Sequence, residues 1–195
     1  MTEKETRFQP TDCQENQENS FYFKADPFQG KLKSLEELKQ LFSLWKKEGK
    51  TIVFTNGCFD LIHVGHIRSL RDAKSKGDIL VVAVNSDSSV KQYKGSHLPV
   101  VPEMERLEVL SALEMVDYLL LFSQTTVKEL LLELQPHIHA KGRDYTEKTV
   151  PERDAVLSYG GKIAIVGDPK DHSTTSLIEK IQNLAPDNVK NTNKS

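Results

Sequence analysis

The run DILVVAVNSD at residues 78–87 narrows the fold more than any other stretch of the chain. Its apolar residues are consecutive rather than alternating, so the strand they predict has no face left for water. Such strands lie inside parallel sheets, and a parallel sheet needs helices on both sides. The remaining sequence supplies the parts. TIVFTN, DYLLLFS, PHIHAKG and KIAIVGD read as further short strands, separated by segments of helical periodicity. The predicted helices are SLEELKQLFSLWKKEG, the segment from Gly65 to Lys76 that stops at Gly77, PEMERLEVLSALEMV, VKELLLEL and SLIEKIQNL. In the first, Ser34 is the expected N-cap and Glu37 closes a capping box. Leu35, Leu38, Leu41, Phe42 and Trp45 form its apolar stripe, and Gly49 follows its end. Pro102 is expected in the first turn of the third. Strands alternating with helices predict an α/β fold, a doubly wound parallel sheet in a single domain with a leading helix.

The domain is expected over residues 31–185. Residues 1–30, rich in Gln, Asn, Glu and Thr, read as a disordered N-terminal tail in which only FYF at 21–23 could touch the domain. Residues 186–195 read as a second polar tail. A formal net charge of −2 does not suit a general nucleic-acid binder. No stretch approaches the roughly 18 to 20 apolar residues that cross a bilayer, so no membrane span is expected. The N-terminus has no apolar signal segment, and two cysteines, Cys13 and Cys58, are too few for a disulfide framework. A cytoplasmic location is the expectation.

Ligands of such sheets lie at the carboxyl ends of the strands, near the point where strand order reverses. After the strand TIVF, Asn56, Gly57, Cys58 and Phe59 form a turn whose glycine lets a ligand approach the backbone. His63 and His66 flank Gly65 at the mouth of a helix, three residues apart and so able to point to one side. The helix start adds unpaired amides and about half a positive charge, which together describe a cradle for nucleotide phosphates. A plainer reading makes one histidine a helix cap and the other a core residue. Asn85, Ser86 and Asp87 end the second strand; they either cap the next segment or let Asp87 help hold a nucleotide or metal. Lys141, Gly142, Arg143, Asp144 and Tyr145 end a later strand. There Gly142 permits close approach of a base or ribose and Asp144 can accept from a ribose hydroxyl, a plain turn being the alternative. Ser173, Thr174 and Thr175 open the last helix with more hydroxyls than a cap requires. His137 and His139 alternate along a strand, but lacking a paired cysteine or spaced carboxylate they are not expected to bind metal.

These motifs resemble those of a known family. His-Val-Gly-His after a Gly-x-Phe-Asp turn is similar to the HxGH signature of a nucleotidyltransferase superfamily with a Rossmann-like fold. VFTNGCFDLIHVGH, GDILVVAVNSD, the KG…PV of residues 94–101, Glu105-Arg106, ALEMVDYLLLF, KGRDY, YGGKI and STTSLIEKI extend the likeness over residues 31–184. Within the superfamily they resemble the heptose 1-phosphate adenylyltransferases of bacterial lipopolysaccharide core synthesis. The resemblance implies that a small-molecule sugar 1-phosphate attacks the α-phosphorus of ATP in line and releases pyrophosphate, with Mg²⁺ balancing charge and no covalent intermediate. It implies a catalytic set of His63, His66, Lys94 and Arg106. Lys94, on the loop after the second strand, would be a mobile lysine bridging the two phosphates, with Lys91 a weaker copy. Arg106 would be a phosphate clamp. Asn56, Gly57, Cys58, Phe59, Asn85, Asp87, Lys141, Gly142, Asp144, Ser173, Thr174 and Thr175 would line the nucleotide site. A homo-oligomer is implied as well.

The chain departs from the family pattern at three places. Leu98 stands where an arginine is usual, Arg143 where glycine is usual, and Glu152-Arg153-Asp154 replace a smaller, mostly apolar segment near the expected sugar pocket. The nucleotide side reads intact and the acceptor side altered. A cytidylyltransferase of the glycerol 3-phosphate type shares HxGH and STT and is the sister reading. A non-catalytic nucleotide-binding protein is the reading from another class, against which the catalytic set stands.

Overall fold

A computed structural model of the chain describes residues 26–168 and 174–184. In chain order the elements are α1 (Leu35–Lys47), β1 (Ile52–Gly57), α2 (Val64–Lys74), β2 (Ile79–Asn85), α3 (Asp87–Lys94) and α4 (Glu103–Ser111). They are followed by β3 (Tyr118–Phe122), α5 (Lys128–Leu134), β4 (Ile138–Gly142), α6 (Arg153–Ser158), β5 (Lys162–Val166) and α7 (Thr174–Leu184). The strands form one parallel sheet in the order β3-β2-β1-β4-β5. The order reverses between β1 and β4, which puts the ligand crevice of a doubly wound sheet at the ends of those two strands.

Alternate side chains feed two layers. Ile52, Phe54, Val81, Ala83, Leu120 and Phe122 pack with Leu38, Phe42, Leu131, Leu134 and Val156, from α1, α5 and α6. Val53, Leu80, Val82, Val84 and Leu119 pack with Leu70, Ala73, Leu107 and Leu110, from α2 and α4. Strand β2 is thus covered on both faces, as its uninterrupted apolar run requires. At about 1.5–3 kcal/mol for each large apolar side chain fully buried, these layers dominate what holds the sheet together. The α1 capping box forms as expected: the Ser34 hydroxyl accepts from the Glu37 amide, and the Glu37 carboxylate accepts from the Ser34 amide at 2.8 Å. Lys33 N–H donates to the Leu119 carbonyl and Leu119 N–H to the Lys31 carbonyl, partly covering edge strand β3.

Several boundaries differ from expectation for local reasons. Helix α4 stops at Ser111 because the chain must turn through Leu113 and Val116 to enter β3. Pro102 is its N-cap rather than a residue of its first turn, with ψ 150° still extended. Helices α3 and α6 were not anticipated: α3 is polar and buries only Ser89 and Val90, and α6 has only 6 residues. Ahead of Lys31, the Asp26 carboxylate accepts from the Phe28 and Gly30 amides, and Phe28 packs against the second layer. The packed chain therefore starts before the expected boundary. FYF and the C-terminal tail lie outside the described residues. Among the described residues no helix is long and apolar enough to cross a membrane.

Candidate active site

The carboxyl ends of the central strands open into a cleft of about 720 Å³. Asn56, Gly57, Cys58, Phe59, His63, His66, Asn85, Lys94, Lys141, Gly142, Asp144 and Thr174 all lie on its wall. Ser173 and the side chain of Thr175 lie outside the described residues. Two expected site residues, Asp87 and Arg106, do not reach the cleft.

The histidine pair builds the mouth of α2. His63 is the N-cap, its Nδ1 accepting from the Gly65 amide at 3.1 Å, and His66 Nδ1 accepts from the His63 amide at 3.3 Å. Two imidazoles thus make a reciprocal capping box. A neutral ring that accepts at Nδ1 carries its proton on Nε2, so the neutral His66 ring keeps an N–H as well as its cap bond. The cap reading and the phosphate reading are therefore compatible. The rings stack with centroids 3.9 Å apart, and Phe59 packs on His66 at 5.5 Å. Burial, with the neighbouring His63 and Lys94 adding to it, holds the His66 pKa down to about 4, so the ring stays neutral at ordinary pH.

Phe59 adopts φ +51°, an uncommon backbone state for a bulky residue, which tucks its ring beside Gly57. A Cβ on Gly57 would lie 3.0 Å from the edge of that ring, so Phe59 already crowds the position before any ligand. Gly142 differs, since a Cβ there meets nothing within 4 Å. Burial raises the pKa of the Cys58 thiol, which suits a packing residue and not a thiolate nucleophile.

Lys94 is the last residue of α3, not part of a loop. The trio ending β2 makes that helix. Ser86 is its N-cap, accepting from the Ser89 amide, and Asn85 Nδ2 donates to the Ser89 hydroxyl at 3.0 Å. The Lys94 ammonium lies 5.6 Å from the centroid of the Tyr93 ring, and Gly95, at φ +100°, ends the helix. The returning chain is pinned by Asp60, whose carboxylate accepts from the Val100 amide at 2.9 Å and the Val101 amide at 2.8 Å. Asp60 stands in the quoted motif, yet its partners sit 40 residues away and are invisible locally.

Arg106 corrects the expectation of a phosphate clamp. It is 1 % exposed. Nε donates to the Val101 carbonyl at 3.0 Å, Nη1 to the Cys58 carbonyl, and Nη2 to both the Asn85 carbonyl and Asp87 Oδ1 at 2.8 Å. The strands β1 and β2 end in carbonyls that need donors, and a planar guanidinium meets several at once. Arg106 is a strut below the cleft. Its pairing with Asp87 also draws that carboxylate away from any nucleotide or metal.

At the end of β4, Lys141 Nζ donates to Asn56 Oδ1 at 3.0 Å, across the crevice. Glu152 Oε2 lies 3.5 Å from Lys141 Nζ and 3.7 Å from His139 Nε2. Burial pushes the pKa of Lys141 and of His139 down. Burial would raise Glu152, but His139 and Lys141 outweigh it and hold the carboxyl below its usual range. The three residues of this segment take different places. Glu152 turns beneath Lys141, while Arg153 and Asp154 point outward and meet each other at 3.5 Å. Arg143 Nε donates to the Gly167 carbonyl, and Leu98 lies off the cleft wall. Tyr93, Thr125, Thr126, Arg68 and Asp168 also line the cleft and had no assigned role; Arg68 and Asp168 pair at 2.7 Å.

Of the four carboxylates on the wall, Asp60 holds backbone amides, Glu152 faces Lys141, Asp168 pairs with Arg68, and Asp144 follows the end of β4. Among the described residues no three His, Cys, Asp or Glu gather as a metal site. His137, itself exposed, accepts at Nδ1 from the Ile52 amide at 3.0 Å, and His139 is 0 % exposed.

The model of a family described as cytidylyltransferase-like matches residues 54–182. The bifunctional protein HldE of Pelobacter propionicus is 46 % identical over 151 residues, 77 % of this chain and 31 % of the relative. That of Geobacter metallireducens is 44 % identical over 162 residues, 83 % of this chain and 33 % of the relative. The chain thus spans about a third of the length of the curated relatives it matches. A lipopolysaccharide core biosynthesis protein of Thermoplasma volcanium has 30 % identity and a TM-score of 0.55, covering 63 % of this chain and 100 % of that one. The pantoate-beta-alanine ligase of Francisella tularensis shares the fold at 16 % identity and a TM-score of 0.53, covering 74 % of this chain and 68 % of that one.

Proposed function

The chain belongs to the cytidylyltransferase-like family of nucleotidyltransferases, and from that premise we propose that it transfers AMP from ATP to a sugar 1-phosphate, releasing pyrophosphate. The acceptor we propose is a heptose 1-phosphate, giving an ADP-heptose for lipopolysaccharide core synthesis in the cytoplasm, with the protein acting as a homo-oligomer. One observation carries the reading: two histidines that cap each other at the mouth of α2, His66 held neutral by its burial, on the same cleft wall as Lys94 and Lys141.

In this reading an acceptor phosphate oxygen attacks the α-phosphorus, the bond to the bridging oxygen breaks, and pyrophosphate leaves. No group on the protein needs to become a nucleophile. His63, His66 and the start of α2 donate to phosphoryl oxygens as negative charge accumulates, each well-placed donor contributing about 3 kcal/mol. Lys94, carried on a capped helix and followed by an anchored loop, brings its charge to the incoming phosphate. Lys141, Gly142, Asp144 and Thr174 hold the nucleotide beside the crevice. Mg²⁺ carried on the nucleotide would supply neutralising charge at its phosphates.

Pyrophosphate release with ATP and CTP, each against a panel of sugar 1-phosphates and glycerol 3-phosphate, tests the proposal. The expected best pair is ATP with a heptose 1-phosphate. Turnover of CTP with glycerol 3-phosphate, and none of ATP with any sugar phosphate, would overturn the substrate assignment and keep the family. Nucleotide binding without any turnover would leave a binding protein.

A further inference from the structure

Glu152 is 6 % exposed and its Oε2 has no hydrogen-bond partner. Although it stands at the N-cap of α6, its side chain makes no cap bond, so the helix does not need the carboxylate. A buried unpartnered carboxylate is costly unless a cation compensates it. His139, also buried and with both ring nitrogens unpartnered, is kept neutral by its burial. Lys141 is left as the compensating cation. Its ammonium has three donors, and Asn56 Oδ1 takes one. Glu152, at 3.5 Å, is close enough to hold the charge but too far for a good hydrogen bond, and Lys141 lies on the cleft wall.

Resting on the reading of this cleft as a nucleotide site, we propose that Glu152 is a positioning residue: its buried carboxylate, with His139 behind it, fixes the Lys141 ammonium at the β1–β4 crevice so that Lys141 donates to an oxygen or ring nitrogen of the bound nucleotide. The other groups around this pair do not replace it. Asn56 of β1 is neutral, the Tyr145 ring lies 5.4 Å from the ammonium, and Arg153 and Asp154 are exposed and face each other. Arg68 is paired with Asp168, Arg143 is turned to the Gly167 carbonyl and Asp60 holds the Val100 and Val101 amides; Asp144 and Lys94 also carry charge on the wall.

The test is a double-mutant cycle read in nucleotide affinity, with ATP and CTP as probes in calorimetry at pH 8. Glu152→Gln should weaken binding tenfold or more, and Lys141→Met at least as much. The double variant should be no worse than Lys141→Met alone, and in Glu152→Gln the loss should fall on KM more than on kcat. A second measurement needs no ligand: the Lys141 titration, followed by NMR of labelled lysine, should move to lower pH in Glu152→Gln, because an amide leaves the buried ammonium uncompensated. Losses that add in the double variant, or an unmoved Lys141 titration, overturn the proposal. Wild-type protein that binds neither nucleotide overturns the nucleotide reading, and the titration still decides whether Glu152 holds Lys141. Should Glu152→Gln not fold, Glu152→Asp carries both measurements, keeping the charge but withdrawing it by one methylene, with smaller shifts in the same directions.

Discussion

The mouth of α2 and the end of β4 face one cleft but are put together in opposite ways. His63 and His66 cap each other within a single helical turn, so any chain that forms α2 forms the pair. Lys141, Glu152, His139 and Asn56 come from two strands and the start of a third element, and meet only when β4 is registered on β1. The first arrangement is as rigid as a helix start and suits donors that must be aimed before charge develops. The second rests on tertiary packing and on burial, and suits ground-state grip that can be tuned. Charge perturbation follows the same division. Burial neutralises His66, whereas at the β4 end it leaves a charged pair sharing a poorly solvated corner.

The largest expected effect would break the comparison by removing what the two regions share. Arg106 ties the Cys58 carbonyl after β1 to the Asn85 carbonyl of β2 and to Asp87 of α3. Arg106→Met strands these acceptors in a buried setting, and the expected loss is about 3–5 kcal/mol in urea unfolding. Nucleotide binding and turnover should then fail together. Unchanged stability with only a raised KM for a phosphate substrate would restore Arg106 as a clamp.

The next effect isolates the α2 mouth. His66→Ala should lower kcat by roughly 100-fold or more while nucleotide affinity changes far less, since a donor aimed at a charged transition state contributes about 3 kcal/mol. The substitution also removes the cap on the His63 amide, which costs about 1 kcal/mol of stability. His66→Asn, which keeps an acceptor for that cap, separates the two contributions. Equal loss of binding and rate would make the α2 mouth a ground-state site like the β4 end.

What could be read in advance follows from the same contrast. The sheet and its two layers are legible because the apolar run of β2 and the stripes of α1 and α5 are local patterns. The histidine pair is legible for that reason too. Position 106 is not, because an arginine in an amphipathic helix reads alike whether it faces water or the carbonyl ends of two strands. Helix α3 hides because a polar octapeptide with two buried residues has no period to detect. Glu152 reads as a change at the acceptor side, since nothing in its own segment shows that β4 lies beneath it. Asp60 is visible as a residue and silent as to its partners.

A pH series sharpens the comparison with a smaller effect. The His66 pKa is depressed to about 4 from an ordinary value of 6.5. The unfolded chain therefore takes up the proton first as pH falls. Stability from the neutral ring is complete above 6.5 and is lost between 6.5 and about 4. His137 and His139, both depressed by burial, add in the same direction. Thermal midpoints should fall over this window, less steeply in His66→Asn. In the protein still folded, kcat should not feel His66 titrate until about pH 4, where protonation at Nδ1 removes the acceptor for the His63 amide. An acid limb near 6.5 that His66→Asn abolishes would contradict a neutral, buried His66.

The smallest effect is the sharpest test of where the β4 corner ends. Arg153 and Asp154 adjoin Glu152 in sequence, and a reading based on the segment's charge would weigh all three alike. In the fold they part company. The Glu152 side chain is 8 % exposed against 44 % for Arg153 and 98 % for Asp154, and the Arg153–Asp154 pair is a solvent-screened contact between neighbours. Pairs of that kind contribute about 0–1 kcal/mol, and surface changes away from special features usually stay within about 0.5 kcal/mol. Arg153→Ala and Asp154→Ala should therefore leave nucleotide affinity and turnover within about twofold of wild type, the scale that a change of about 0.5 kcal/mol allows. Thermal midpoints should be nearly unchanged. If either substitution matched the loss caused by Glu152→Gln, the corner would be an electrostatic patch acting at a distance. Burial would then cease to be what distinguishes the β4 end from the α2 mouth, because an exposed charge next in sequence would do the same work as one sealed under Lys141.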